Sequence, residues 1–146
     1  MEKLIVLGTG HAMVTKCYNT CFAICRGNEY FLIDAGGGNG VLSRFEELGL
    51  NWSKLHNIFI THEHTDHLLG LFWVIRKMAG QIHSGKYEGN LYIYCHLDLV
   101  ETIKTICQLT MSERIIHLLG KRIILVPVQN GDIKEIIQSQ ITFFDL

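Results

Sequence analysis

Hydrophobic positions along this chain fall into short runs that switch between the strand period and the helix period. Leu4 to Leu7 is a compact apolar run that feeds the glycine-bearing loop Gly8-Thr9-Gly10. Residues 19–25 (NTCFAIC) and 29–34 (EYFLID) are rich in strand formers, and Gly27-Asn28 between them has the composition of a hairpin turn. After a glycine-rich run at 35–40, Val41, Leu42, Phe45 and Leu48 recur at helical spacing, and Gly49 stops them. Residues 57–60 (NIFI) read as a buried strand. From His67 to Ala79, Leu68, Leu71, Phe72 and Ile75 mark one face of a helix that Gly80 should end, with Phe72 and Trp73 as packing residues. A strand at 91–95, a helix over 98–109 and strands at 122–128 (RIILVPV) and 141–146 (ITFFDL) complete the pattern, with a turn at Asn130-Gly131-Asp132. Such alternation predicts an α/β layered fold, and the lack of repeats or linkers makes 1–146 a single domain.

Composition narrows the classes. The 146 residues are enough to bury a core without disulfides or a structural metal. Hydrophobic residues at 48% and charged residues at 18% exclude a disordered chain. Lysine and arginine total 13 against 14 acidic residues, a formal net charge of −1. That balance lacks the excess of a basic nucleic-acid domain, although a local patch can sit inside a neutral total. The five cysteines form no CxxC pair, and the start MEKLIVLGTG lacks the features of a secretory signal. Arg76 and Lys77 interrupt the apolar stretch from Leu68, short of the ~18 residues that a membrane span needs. The expectation is a cytoplasmic protein with reduced thiols and no membrane partner. The spacing of Cys17, Cys21 and Cys25 invites a metal reading, but Cys21 and Cys25 fit better as small core residues of a strand, and Cys95 and Cys107 also read as core.

One segment carries the chemistry: Thr61-His62-Glu63-His64-Thr65-Asp66-His67. His62 and His64, two apart at an extended strand end, project to the same side and can share a metal ion. The chain then turns into a helix that carries Asp66 and His67 toward a second position. Imidazole nitrogens with a carboxylate oxygen suit zinc, with manganese or iron as alternatives. A polar helix cap at Thr65 or Asp66 would need one of these residues and would leave three histidines unexplained.

HxHxDH, here His62, His64, Asp66 and His67, is the signature of the metallo-β-lactamase fold superfamily, which this chain resembles. LGTGHA, NTCF, FLIDAGGG and FITHEHTDHLLGL fall in that family's order, and they look most like the ribonuclease Z branch and its hydrolase relatives. The resemblance implies an αββα sandwich and a dinuclear site of up to two zinc ions, with His62 and His64 on the first and Asp66 and His67 on the second. It implies hydrolysis by a metal-bound hydroxide on a phosphodiester, RNA or a small one, with Asp66 also accepting a proton as the catalytic carboxylate. Asp34 would orient the histidine loop, and the loop of His11 would lie near the metals; His83 and His96 read as plain surface or strand-end histidines, with substrate contact as the alternative.

The departures from the family shape the remaining expectations. The family's further histidine, bridging aspartate and final histidine come after the strand matching ITFFDL, so each ion here has two protein ligands. The chain therefore reads as the N-terminal portion of a truncated sandwich, binding metal weakly and hydrolysing little alone. AGGGNG at 35–40 departs from the acidic glycine loop of ribonuclease Z, which leaves a thioester, lactone or other small ester as an alternative substrate. A third reading is a non-catalytic half-domain. An uncovered sheet face also predicts a homo-oligomer, with RIILVPV and ITFFDL in or near the contact.

Overall fold

A computed structural model describes residues 1–145, so the last residue of the expected 141–146 strand lies outside the described residues. The strands β1 (Glu2–Gly8), β2 (Cys21–Arg26) and β3 (Glu29–Ile33) form an antiparallel meander, and Gly27 turns the second hairpin at φ +59°. From β3 onward the sheet is parallel: β4 (Leu55–Ile60), β5 (Leu91–His96) and β6 (Ile123–Val128) add in sequence order, giving β1-β2-β3-β4-β5-β6. Parallel neighbours need crossovers. These are α1 (Gly40–Glu47) with a 3₁₀ turn at Trp52–Lys54, then α2 (Thr65–His83), then α3 (Leu97–Thr110) with the short α4 (Glu113–Ile116).

The helices pack on one face of the sheet. Leu32, Ile58, Ile60, Ile93 and Cys95 from the strands meet Val41, Phe45, Leu71, Ile75, Met78 and Ile103 from the helices. The opposite face is partly covered by a separate hairpin of β7 (Ile133–Ile136) and β8 (Ser139–Thr142). Ile136, Ile137 and Phe143 from this hairpin region sit over Phe31, Tyr94 and Val128. The Phe143 ring is 5.0 Å from Phe59 and 6.0 Å from Tyr94. The layers are therefore helices, a mixed sheet, and a two-stranded hairpin over part of its other face. None of the described helices is long and apolar enough to cross a membrane.

Several expectations need correction. The helix predicted over 67–79 runs from Thr65 to His83, and Gly80 lies inside it. The residue that turns the chain afterwards is Gly85, at φ +71°. Trp73, expected to pack, is exposed on the outer face of that helix, and Leu48 is exposed at the end of α1. Cys21, Cys95 and Cys107 are buried as expected, but Cys25 is only half-buried and Cys17 is exposed. The predicted last strand is Ser139–Thr142 rather than 141–146, and it pairs with β7, which the sequence pattern did not reveal. It leaves the main sheet because the β7–β8 turn falls at Ile137-Gln138, with φ +46° and +59°, folding the segment back onto the open face.

Candidate metal centre

Strands β3, β4 and β5 run parallel, so their carboxyl ends lie along one edge of the sheet, the usual place for a site in such folds. Asp34 follows β3, Thr61 to His64 follow β4, and His96 closes β5. Ile33 is in register with Phe59, which sets Asp34 beside the end of β4.

Asp34 is 5% exposed and has φ +56°, a left-handed conformation that aspartate tolerates better than most side chains. Its amide donates to Phe59 O at 2.8 Å. Its carboxylate accepts from the Thr61 amide at 2.8 Å, from the Thr61 hydroxyl at 2.8 Å and from His67 Nδ1 at 2.7 Å. These bonds assign the protons. A carboxylate only accepts, so His67 Nδ1 is the donor to Asp34, and in the neutral ring the lone pair then lies on Nε2. The Thr61 hydroxyl has one hydrogen, which goes to Asp34, so His62 Nδ1, 2.8 Å from that hydroxyl, is the donor and His62 Nε2 is also free. One buried carboxylate thus sets the tautomer of two histidines.

The imidazoles gather at the strand–helix junction. The ring of His62 is 4.1 Å from that of His67 and 4.6 Å from that of His64. His67 Nε2 is 3.3 Å from Asp66 Oδ2. His64 occupies the cap position of α2, yet its side chain makes no capping bond, and Thr65 and Asp66 lie inside the first turn. The junction therefore draws no side-chain cap from this segment. In kind, the donors fit a borderline divalent ion such as zinc. Among the described residues, no three of them form a ready-made metal cage.

Residues that the sequence pattern did not single out hold the junction in place. Gly70 N donates to Gly36 O at 2.8 Å, and Ala35 N donates to His67 O at 3.0 Å, joining α2 to the 35–37 loop. A Cβ on Gly70 would lie 1.8 Å from Ala35 O, so only glycine permits this approach. The Tyr18 hydroxyl is 2.7 Å from Ala35 O and 2.8 Å from Gly38 O, and its ring fills the space beside Gly36 and Gly40. Burial raises the Tyr18 phenol to about 12. It also raises the Cys21 thiol to about 12, with the charge of Asp34 adding to the effect. Asn19 accepts from Gly37 N at 3.1 Å and donates to His11 O at 3.1 Å. His11 joins the site through that backbone contact, while its ring accepts from Met13 N in its own loop. A glycine within a helix was the one legible sign of Gly70, and direct adjacency to the histidines was the sign of Thr61.

Beside the histidines opens a cleft of about 990 Å³. Phe59, Phe144 and His96 supply aromatic surface, Glu63, Asp98 and Asp145 supply carboxylates, and no lysine or arginine lines it. His96 also accepts from the Asp98 amide as the cap of α3. His83 is not part of this site and lies near the far end of α2.

The fold and the histidine junction define a metallo-β-lactamase-type α/β domain. The metallo-β-lactamase fold protein YhfI of Bacillus subtilis superposes with a TM-score of 0.68 at 20% identity, over 91% of this chain and 49% of that one. Within that class, the chain belongs to the family described as anti-Pycsar protein Apyc1, whose profile matches residues 2–140. Human tRNase Z, short form, matches with a TM-score of 0.63 at 25% identity, over 75% of this chain and 39% of that one. Ribonuclease Z of Thermococcus sibiricus is 41% identical over 95 residues, which is 64% of this chain and 29% of the relative. The chain spans about a quarter to a third of the length of the curated relatives it matches.

Proposed function

We propose that this chain is the metal-holding portion of a metal-dependent phosphodiester hydrolase. The reading is carried by the Asp34 carboxylate, which accepts hydrogen bonds from His67 Nδ1 and the Thr61 hydroxyl, so that in the neutral rings the Nε2 lone pairs of His62 and His67 are the ligating ones. His62 and His64 would hold one divalent ion, and Asp66 and His67 a second, with zinc first and manganese or iron as alternatives. When bound, such an ion supplies a Lewis acid that lowers the pKa of water from 15.7 toward ~7. Asp34 holds the two rings in the ligating tautomer and so acts as a positioning residue. Asp66, with its carboxylate oxygen 3.3 Å from His67 Nε2, is the group placed to accept a proton from the attacking water. The neighbouring cleft is lined by carboxylates and aromatic rings, which suit the uncharged part of a substrate better than its phosphate.

The substrate class rests on the ribonuclease Z relatives: a phosphodiester, in RNA or in a small molecule. Five unpaired cysteines suit the reducing cytoplasm. Exposed Leu4, Val6 and Phe144 support association of the chain with itself.

The test is hydrolysis of bis(p-nitrophenyl) phosphate by the 146-residue chain with excess zinc or manganese, alongside p-nitrophenyl acetate. Slow turnover of the diester that needs metal and disappears in His64→Ala is the expected result. Turnover of the acetate alone would move the assignment to an ester hydrolase. Absence of both metal binding and turnover would make the chain non-catalytic.

A further inference from the structure

A second cleft, of about 370 Å³, lies between the C-terminal half of α2 and the start of α4. Arg76, Gly80, His83, Ser112 and Arg114 line it, and no carboxylate does. Its arginines differ from the others in the protein. Arg26 bonds Ser139 and the Gln138 carbonyl and pairs with Glu2, Arg44 bonds Leu7 O and pairs with Glu47, and Arg122 bonds the carbonyls of Gly89 and Tyr87. Among the described arginines, the exposed side chains of Arg76 and Arg114 are the two with neither a hydrogen bond nor an ion pair, and both line this cleft. Ser112 sits at the cap position of α4, but its hydroxyl makes no capping bond, so its hydrogen is also available. His83 Nε2 is 3.2 Å from Arg114 O, which fixes its ring at the rim.

Gly80 is an independent observation. Glycine inside a helix is destabilising, and Gly70 in the same helix is explained by the Ala35 carbonyl against it. Gly80 has no such reason, because a Cβ there would meet nothing within 4 Å. Gly80 is exposed, and its missing side chain leaves open space along the cleft that it lines.

We infer that this cleft is a phosphate-binding site, with Arg76 and Arg114 as the charged forks and Ser112 as a further donor. Guanidinium groups match phosphate oxygens in pairs, and an unopposed pair of them is an oxyanion site by charge and by donor count. Arg76 is ten residues along α2 from Asp66, about 15 Å at the helical rise. That offset allows two sources for one chemistry: a distal phosphate of a polynucleotide strand lying along α2, or the phosphate of a separate small molecule. The site does not depend on hydrolysis at the histidine junction.

The experiment uses the metal-free 146-residue chain and two probes, a fluorescent 12-nucleotide single-stranded RNA and inorganic phosphate. Anisotropy follows the RNA between 50 and 200 mM salt, and arginine side-chain NMR shifts follow the phosphate. The variants are Arg76→Ala/Arg114→Ala and Gly80→Glu, which places a carboxylate in the cleft at a position with room for it. Thermal melting checks that they remain folded. A strand source is shown if RNA binding weakens at least tenfold in both variants and the salt slope falls by about 1.4 in the double variant, the effect of two phosphate contacts on a single strand. A small-molecule source is shown if phosphate saturates shifts at Arg76 and Arg114 in the wild type only, while RNA binding is unchanged. If the wild type binds neither RNA nor phosphate, or if both folded variants bind them like the wild type, the inference is overturned.

Discussion

Asp34 joins the two strands' ends through one carboxylate, so a change that keeps its shape is the sharpest probe of it. Asp34→Asn removes a pure acceptor and sets an amide against the Thr61 hydroxyl and His67 Nδ1, both of which donate there. The expected result is a loss of about 1–3 kcal/mol in urea unfolding. Zinc affinity should also fall roughly 10- to 100-fold, the usual effect of losing a partner behind a metal-bound histidine. Unchanged zinc affinity with lowered stability would reduce Asp34 to a structural cap. The thiols give a second residue-scale prediction. Burial raises Cys21 to about 12 and Cys95 and Cys107 to about 11, from an ordinary 9.0. An unfolded chain loses these protons near pH 9 while the folded chain keeps them. Their contribution is therefore intact below pH 9 and is lost as pH rises toward 11–12. Urea midpoints should be level from pH 7 to 8.5 and fall by pH 10.5. Under native conditions at pH 8, a thiol reagent should label Cys17 first and Cys25 more slowly.

At the scale of elements, α2 carries two glycines with opposite predictions. Gly70→Ala forces a methyl into the Ala35 carbonyl, so the helix must shift away from the 35–37 loop, at a cost of about 1–3 kcal/mol or more. Gly80→Ala meets no atom and replaces a poor helix former with the best one, a gain of up to about 1 kcal/mol. Thermal melting of the two variants compares them directly. Most elements were legible because strands and helices of one buried face write their period into the sequence, as Leu68, Leu71, Phe72 and Ile75 do for α2. The β7–β8 hairpin was not legible, because its turn uses Ile137 and Gln138 at positive φ, where glycine or asparagine gives the usual signal. The burial of Ile137 against the sheet holds the turn in a conformation that its own residue type disfavours. At the site, the candidate ligand types were legible from HxHxDH, whereas Tyr18 and Asn19 act through hydrogen bonds to backbone far along the chain, which leave no pattern in the sequence.

At the scale of the whole molecule, the helix-covered face of the sheet is closed, and the face opposite is closed only around Phe31, Tyr94 and Val128. Leu4, opposite Ile24 on that second face, is 64% exposed, and Phe144 beyond β8 is 72% exposed. Apolar surface of this kind drives association at ~25 cal/mol per Å² buried. Light scattering should show a dimer or larger species, and Leu4→Lys should shift it toward monomer. A monomer at high concentration would mean that the hairpin alone suffices to close the core. The central claim is that the strand-end histidines hold a divalent ion, and the most direct measurement is a calorimetric titration of the 146-residue chain with zinc, repeated on His62→Ala and His64→Ala. The account predicts saturable, weak binding in the wild type and loss, in both variants, of the ion assigned to His62 and His64. Zinc binding that is absent from the folded wild type, or that survives both substitutions unchanged, would contradict it.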